Sequence, residues 1–159
     1  MKTSCGVLII NEYQEILVGH STGNKFFDIP KGLLDEGENP IDCAIRECQE
    51  ESSIIFSKDD LIDLGLFKYN KEKNLHLFMI RVKKDFIDIN SLVCTSMFEH
   101  VYTKKMLPEA DYFKWLKFED VTVDCAKSMG KLLSSLIENN VLNGTLSETQ
   151  YNEVNKLKI

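Results

Sequence analysis

The feature that most constrains the fold is a helix pattern between Asn39 and Glu51. Asparagine is a favoured N-cap residue, and Pro40 stands at the first helical position, where its missing N–H is not needed. Four apolar residues with helical spacing then share one side: Ile41, Ala44, Ile45 and Cys48. Since this apolar side must be covered, residues 40–51 predict an amphipathic helix that packs on a sheet.

Three glutamates, Glu47, Glu50 and Glu51, stand close together on the opposite side of this predicted helix. Their charges repel one another, and a solvated surface is one interpretation because charged helix faces are common. A metal site is the other interpretation, since Mg²⁺ binds through a few carboxylate oxygens together with substrate phosphates. The spacing alone leaves both open.

Runs of apolar and β-branched residues on either side of the helix predict strands. These runs are residues 5–10, 15–19, 26–29, 61–69, 75–83 and 112–118. Polar turns at residues 11–14 and 70–74 indicate that two pairs of them form hairpins, and residues 32–38 have the glycines of a loop. A second amphipathic helix is predicted over residues 125–138 and a short terminal helix from Ser147. Interleaved strands and helices indicate an α/β fold.

Composition limits the class of partner. The 159 residues suit one domain, and a formal net charge of -6 argues against binding to duplex nucleic acid, which needs a basic surface. The apolar run at residues 5–10 is too short to span a membrane, so no membrane association is expected. The cysteines lack C-x-x-C spacing and predict reduced thiols in a cytoplasmic protein: Cys5, Cys43, Cys48, Cys94 and Cys125.

The sequence around the first helix resembles the Nudix box, Gly-x5-Glu-x7-Arg-Glu-apolar-x-Glu-Glu-x-Gly-apolar. The matching residues are Gly32, Glu38, Arg46, Glu47, Cys48, Glu50, Glu51 and Ile54. Ser53 replaces the last glycine, which usually closes a helix in the left-handed conformation. Serine there costs on the order of 1 kcal/mol unless the helix ends differently, and no proposed metal ligand is lost.

This resemblance implies an α/β/α sandwich with a mixed central sheet, a Nudix domain over residues 1–139, and a C-terminal extension over residues 140–159 that packs on the domain or trails from it. It also implies a site for Mg²⁺, with Mn²⁺ as the alternative. The implied metal ligands are Glu47, Glu50, Glu51 and a backbone carbonyl of Lys31 or Gly32.

Two further roles follow from the box. Glu50 and Glu51 are catalytic candidates as well as ligands, because a carboxylate must accept the proton of the attacking water. Arg46 is expected to hold Glu38 in a bidentate ion pair that keeps the preceding loop rigid.

A second resemblance lies further along the chain. Residues 108–115, Pro-Glu-Ala-Asp-Tyr-Phe-Lys-Trp, are similar to the Pro-Glu-x-Asp-x-aromatic-x-Trp segment of bacterial RNA pyrophosphohydrolases and related dinucleoside polyphosphate hydrolases. By this resemblance Glu109 is a general base or an additional metal ligand. A surface glutamate that merely precedes a strand is the alternative, and Glu99 is a weaker rival for the role.

Substrate-binding candidates lie outside the box. Lys104 and Lys105 belong to a predicted loop over residues 98–107 that would close over the substrate and neutralise its phosphates, and Lys31 would act likewise. Tyr69 stands roughly where the family's diadenosine polyphosphate hydrolases have a tyrosine, so its ring is a candidate for stacking on a base. Solvated lysines and a core tyrosine are the alternatives.

Together these features predict metal-dependent hydrolysis of a pyrophosphate bond in a nucleoside diphosphate linked to another group. A dinucleoside polyphosphate or a 5′-triphosphorylated RNA end is the leading substrate. ADP-ribose, a nucleoside triphosphate and a diphosphoinositol phosphate stay open, because specificity lies outside the box. A non-catalytic nucleotide sensor, supported only by Ser53, and an acidic protein-interaction surface are the other hypotheses. The pattern does not determine the oligomeric state.

Overall fold

The computed structural model describes residues 1–142, so the helix predicted from Ser147 lies outside the described residues. Its strands are β1 (Lys2–Ile10), β2 (Glu15–Ser21), β3 (Phe27–Asp28), β4 (Lys31–Leu33), β5 (Ile62–Lys68), β6 (Lys73–Arg81), β7 (Met97–Glu99), β8 (Met106–Pro108) and β9 (Ala110–Lys117). Its α-helices are α1 (Pro40–Ser52), α2 (Val121–Asp124) and α3 (Lys127–Glu138).

The central sheet contains seven of these strands. Strands β3, β2, β1, β6 and β5 are neighbours in that order, while β4 also pairs with β1 and β9 with β2. β1 and β6 run parallel, from Lys2 opposite Lys73 to Ile10 opposite Arg81, and the other pairs are antiparallel. The predicted mixed sheet and both predicted hairpins, β1–β2 and β5–β6, are therefore confirmed.

Helices cover both faces of this sheet, which confirms the predicted α/β/α sandwich. On the face covered by α1 the core includes Val7, Ile9, Ala44, Cys48, Phe78 and Ile80. On the face covered by α3 it includes Leu8, Ile10, Leu75, Leu77, Met129 and Leu133. Successive residues of β1 and β6 point to opposite faces, and each face is buried because it has its own helix.

Two segments predicted as loops contain strands. Residues 31–33 form β4, in which Gly32 lies opposite Cys5 of β1. Residues 97–99 and 106–108 form a separate β7–β8 hairpin, with Phe98 opposite Leu107. Strands of three residues are too short to show an alternating pattern, so only their pairing partners reveal them.

The second predicted helix is interrupted. α2 ends at Asp124, Cys125 is extended and bridges to Phe27 of β3, and α3 begins at Lys127. The amphipathic character of this segment is nevertheless confirmed, since α3 buries Met129, Leu133 and Leu136. No helix within residues 1–142 is long and apolar enough to cross a membrane.

The two ends of α1 differ from each other. Asn39 occupies the N-cap position as predicted, but its side chain makes no capping hydrogen bond. At the other end Ser53 adopts the left-handed conformation, with φ of 68°, and its N–H donates to the Gln49 carbonyl. Its hydroxyl donates to the Val93 carbonyl. Serine thus takes the conformation that glycine has in the box, and that hydrogen bond offsets part of the strain.

Candidate active site

A buried carboxylate lies where α1 meets β4. Glu47 is only 8% exposed, so the prediction that it lies opposite the packed side of the helix is wrong. α1 buries Cys43, Ala44, Glu47, Cys48 and Ser52. Gly32 makes room for this arrangement, because a Cβ atom at that position would overlap the Glu47 carboxyl group. Glycine is therefore needed at this position of the box because it has no side chain to collide with the Glu47 carboxyl group.

Arg46 links the acidic residues of α1 to the preceding loop. Its Nε and Nη2 atoms donate to the two carboxylate oxygens of Glu38 at 2.9 and 3.0 Å, which confirms the predicted bidentate pair. Nη1 donates to Glu47 at 2.9 Å and to Glu50 at 3.3 Å. Nη2 also donates to the Leu33 carbonyl at 3.1 Å. One guanidinium group thus joins the loop, β4 and the helix.

These contacts give the two carboxyl groups opposite electrostatic environments. Hydrogen bonds from Arg46 lower the pKa of Glu38 to about 2. Burial raises the pKa of Glu47, and the nearby charge of Arg46 only partly opposes this effect. Glu38 is therefore a structural partner that is charged at neutral pH, whereas Glu47 is a carboxyl group whose ionisation needs positive charge nearby.

Glu51 and Glu109 form the second group of the site. Burial raises the pKa of Glu51 to about 9, Lys31 opposes this shift, and hydrogen-bonding contact with Glu109 adds to it. The backbone N–H of Lys31 donates to Glu51 Oε2 at 3.2 Å. A carboxyl pair of this kind must either share a proton or gain a cation.

Backbone hydrogen bonds hold Glu109 in place. Its N–H donates to the Ser96 carbonyl at 2.8 Å, and its own carbonyl accepts from Thr22 at 3.1 Å. The N–H of Thr95 donates in turn to the Glu50 carbonyl at 2.7 Å. These bonds fix the backbone of Glu109, whose side chain is in hydrogen-bonding contact with Glu51.

The carboxyl groups of the site have the chemistry of ligands for a divalent cation. Within residues 1–142, acidic, cysteine and histidine side chains do not converge in threes on one point, because Glu47 and Glu50 face Arg46 while Glu51 faces Glu109. The donor set nevertheless fits a hard cation, which prefers carboxylate and carbonyl oxygens. A cation would also relieve the cost of ionising the buried Glu51 carboxyl.

A cleft of about 420 Å³ opens beside this carboxyl pair. It is lined by Gly19, Ser21, Thr22, Gly23, Asn24, Asp28, Pro30, Lys31, Glu51, Phe98, His100, Glu109, Ala110 and Phe113. The Lys31 ammonium lies 2.8 Å from an Asp28 oxygen. Burial alone would lower the pKa of Lys31, but the Asp28 carboxylate outweighs this effect and raises it. The cleft therefore contains a fixed positive charge next to two carboxyl groups.

The structure separates the remaining candidates. Lys31, Glu51 and Glu109 line the cleft, whereas Lys104 and Lys105 lie in the exposed turn between β7 and β8. Tyr69 is half-buried and packs against the core under α3. Glu99 is exposed on β7 and does not line the cleft, although its neighbours in sequence do.

The cleft also contains residues that no sequence motif singled out. Asp28 is the partner of Lys31, and its spacing of three residues before a lysine was the available signal. Thr22 lines the cleft, and its buried hydroxyl has no hydrogen-bond partner within residues 1–142. Nothing local in the sequence distinguishes this threonine from others.

Comparisons with known proteins agree with this geometry. The family model described as the NUDIX domain matches residues 2–134. The chain is 34% identical over 123 residues to an uncharacterized 17.7 kDa protein of Enterobacteria phage T4, covering 71% of this chain and 81% of that protein. It is 26% identical over 128 residues to an RNA pyrophosphohydrolase of Pelagibacter ubique, covering 77% and 80%.

A solved structure shows the same fold. A C. elegans Ap4A hydrolase in a binary complex superposes with a TM-score of 0.59 and 19% identity, covering 89% of this chain and 98% of that one. At 19% identity this similarity shows the fold alone. The match to the family model also covers the residues of the candidate site.

Proposed function

This chain belongs to the NUDIX family and is a pyrophosphohydrolase, and from this premise we propose that it cleaves a dinucleoside polyphosphate or a 5′-triphosphorylated RNA end. The observation that carries the proposal is the Glu51–Glu109 carboxyl pair beside Lys31 in a cleft. Such a site combines cation ligands, a proton acceptor and positive charge for phosphates.

The metal is proposed to be Mg²⁺, with Mn²⁺ as a substitute. Its ligands would come from Glu47, Glu50, Glu51 and a backbone carbonyl of Lys31 or Gly32. When bound, such a cation neutralises phosphate oxygens and lowers the pKa of water. Arg46 would position the helix carboxylates, because it already contacts Glu47 and Glu50.

Proton transfer is assigned to Glu109. It touches Glu51, lines the cleft and is attached to the protein through its backbone on both sides. A carboxylate so placed can accept the proton of an attacking water, while Glu50 and Glu51 remain alternatives on α1. Glu109 follows the β7–β8 hairpin, so its carboxyl group comes from a different element than Glu50 and Glu51 of α1.

Substrate phosphates are proposed to lie beside Lys31. Its ammonium group is held by Asp28, so its position is set before the substrate arrives. Phe98 and Phe113 supply apolar surface in the cleft on which a base can pack.

The proposal is tested with a panel of diadenosine polyphosphates, triphosphorylated RNA, ADP-ribose and nucleoside triphosphates, each with Mg²⁺ or Mn²⁺. Cleavage of one of the first two, with products that identify the phosphorus attacked, is the expected result. Preferred cleavage of ADP-ribose or of nucleoside triphosphates would contradict the substrate assignment. Tight binding without turnover of any compound would instead favour a nucleotide sensor.

A further inference from the structure

A groove of about 560 Å³ lies between the β5–β6 turn and α3. It is lined by Lys68, Tyr69, Asn70, Lys71, Lys127, Ser128, Lys131, Leu132 and Ser135. This lining includes four lysines and no acidic residue, although the whole chain carries a formal net charge of -6. Positive charge is therefore concentrated at one place on an acidic protein.

The four lysines of this groove are all exposed, and none of them forms a salt bridge within the described part of the chain. Elsewhere Lys31, Lys58, Lys84 and Lys114 each lie within 3.0 Å of an aspartate or glutamate oxygen. Lys127 and Lys131 are one helical turn apart, a spacing at which like charges repel. A bound polyanion would relieve this repulsion.

The groove lies near the candidate active site. Cys125, two residues before Lys127 of the groove, bridges to Phe27 of β3, and the next residue of β3, Asp28, lines the cleft. Burial raises the pKa of the Tyr69 hydroxyl in the groove, and the nearby Asp28 carboxylate raises it further. A polyanion whose phosphorylated end lies in the cleft can therefore continue into the groove.

We infer that this groove binds the backbone phosphates of single-stranded RNA whose 5′ end occupies the catalytic cleft. The inference rests on the proposed function for the position of that end. Lysine ammonium groups contact phosphates without reading sequence, and Ser128 and Ser135 add hydroxyl donors. The groove would then favour RNA over a dinucleoside polyphosphate, since only a chain of several nucleotides has phosphates to place there.

The shape and composition of the groove favour RNA over a membrane. Amphipathic helices that lie in a bilayer surface insert large apolar side chains beside their basic residues. The exposed large apolar residues within residues 1–142 include none that lines this groove. A concave surface with lysines on its two sides suits a flexible strand.

The test measures binding of a fluorescent 12-nucleotide RNA that carries a 5′ hydroxyl and so needs no catalysis. The double variant Lys127→Gln/Lys131→Gln is compared with the double variant Lys58→Gln/Lys117→Gln, which removes the same formal charge from exposed lysines outside the groove, of which Lys58 is paired with Asp42. Four phosphate contacts predict a slope of log affinity against log salt of about −2.8 for the wild type, falling to about −1.4 in the groove variant. The control variant should keep the wild-type slope.

Equal affinity and slope in the wild type and the groove variant, or an equal loss in the control, would overturn the inference. So would lysine-dependent binding to phosphatidylserine vesicles without binding to RNA. The Michaelis constant for triphosphorylated RNA should rise in the groove variant, while that for a diadenosine polyphosphate stays unchanged. Groove-dependent RNA binding without hydrolysis of RNA would reject the proposed substrate alone, and RNA hydrolysis indifferent to the lysines would reject the groove alone.

Discussion

The two helices that cover the central sheet bury different chemistry. α1 buries Glu47 together with thiols and a serine, and it needs Arg46 to hold its carboxylates. α3 buries Met129, Gly130, Leu133 and Leu136 and leaves its charged residues in solvent. Burying an ionisable group costs stability, whereas burying apolar side chains contributes to it. Burial of Glu47 therefore lowers stability on the face of the candidate site, and the apolar core under α3 compensates for this loss.

The largest effect is expected for Glu51→Gln on the α1 face. We expect activity to fall about a thousandfold, equivalent to roughly 4 kcal/mol, because a proposed metal ligand loses its charge. Without metal the same variant should melt at a higher temperature than the wild type at pH 8. The folded-state pKa of Glu51 is raised to about 9, so its contribution to stability is complete below the unfolded value near 4.5 and is lost as pH rises towards 9.

Steady-state kinetics and thermal melting of metal-free protein check both parts. Glu119→Gln, a neutral substitution at an exposed glutamate, is the control and should change neither. Near-native activity in Glu51→Gln would remove this residue from the site. A lower melting temperature would show that the carboxylate stabilises the α1 face.

Glu109→Gln should lower kcat about a hundredfold, with little change in substrate affinity measured in Ca²⁺. The reason is its contact with Glu51 inside the cleft, which makes it the proposed base. Glu99→Gln is the matched control from the adjacent hairpin strand, exposed and outside the cleft lining, and should keep most of the activity. If Glu99→Gln were the inactive variant of the two, the assignment of the base would be wrong.

Leu133→Ala tests the other face. Leu133 lies on the buried side of α3 and is fully buried. Its truncation should reduce the free energy of unfolding by about 3 kcal/mol, within the usual range for such cavities. Activity per folded molecule should stay unchanged because no cleft residue is touched. Urea denaturation and kinetics measure the two effects, and Leu132→Ala, at a half-buried position, should lose less. A selective loss of activity would show that the two faces are coupled.

Glu38→Gln tests the Glu38–Arg46 ion pair independently of the carboxylates of the candidate site. At pH 7 the variant should be less stable than the wild type by about 2 kcal/mol, since a charged hydrogen-bonded partner of Arg46 is lost. The folded-state pKa of Glu38 is lowered to about 2, so the pair stabilises the fold above pH 4.5 and this contribution is lost as pH falls towards 2. Melting curves across this range should therefore converge at low pH. A constant difference would contradict the pairing.

The smallest expected effect concerns the end of α1. Ser53→Gly should stabilise the protein by less than 1 kcal/mol, because glycine adopts φ of 68° without strain but loses the hydrogen bond to Val93. Ser52→Gly, at the buried last residue of the helix, should instead destabilise the protein by more than about 1 kcal/mol, because its hydroxyl donates to the Cys48 carbonyl and accepts from the Ile54 N–H. Urea denaturation of the two variants measures the contrast. Destabilisation by Ser53→Gly would show that the hydroxyl contact dominates.

Local pattern determined the elements of this protein. Helical spacing and Pro40 placed α1 within one residue of its observed end, and runs of apolar and β-branched residues joined by polar turns placed the two hairpins. The spacing of Glu38 and Arg46 also indicated their pairing, since both lie in one loop-and-helix segment. These features are readable because they depend on residues close together in the chain.

Only the tertiary structure decided which side chains meet across elements. The burial of Glu47 against Gly32, the contact of Glu51 with Glu109 and the gathering of four lysines between the β5–β6 turn and α3 all join distant segments. The β7–β8 hairpin likewise depends on antiparallel pairing between two short strands. Periodicity shows that a helix packs on a sheet, but not which strand edge lies beneath each residue. Sheet order and register supply that information, and they bring carboxylates together where the sequence showed separate glutamates.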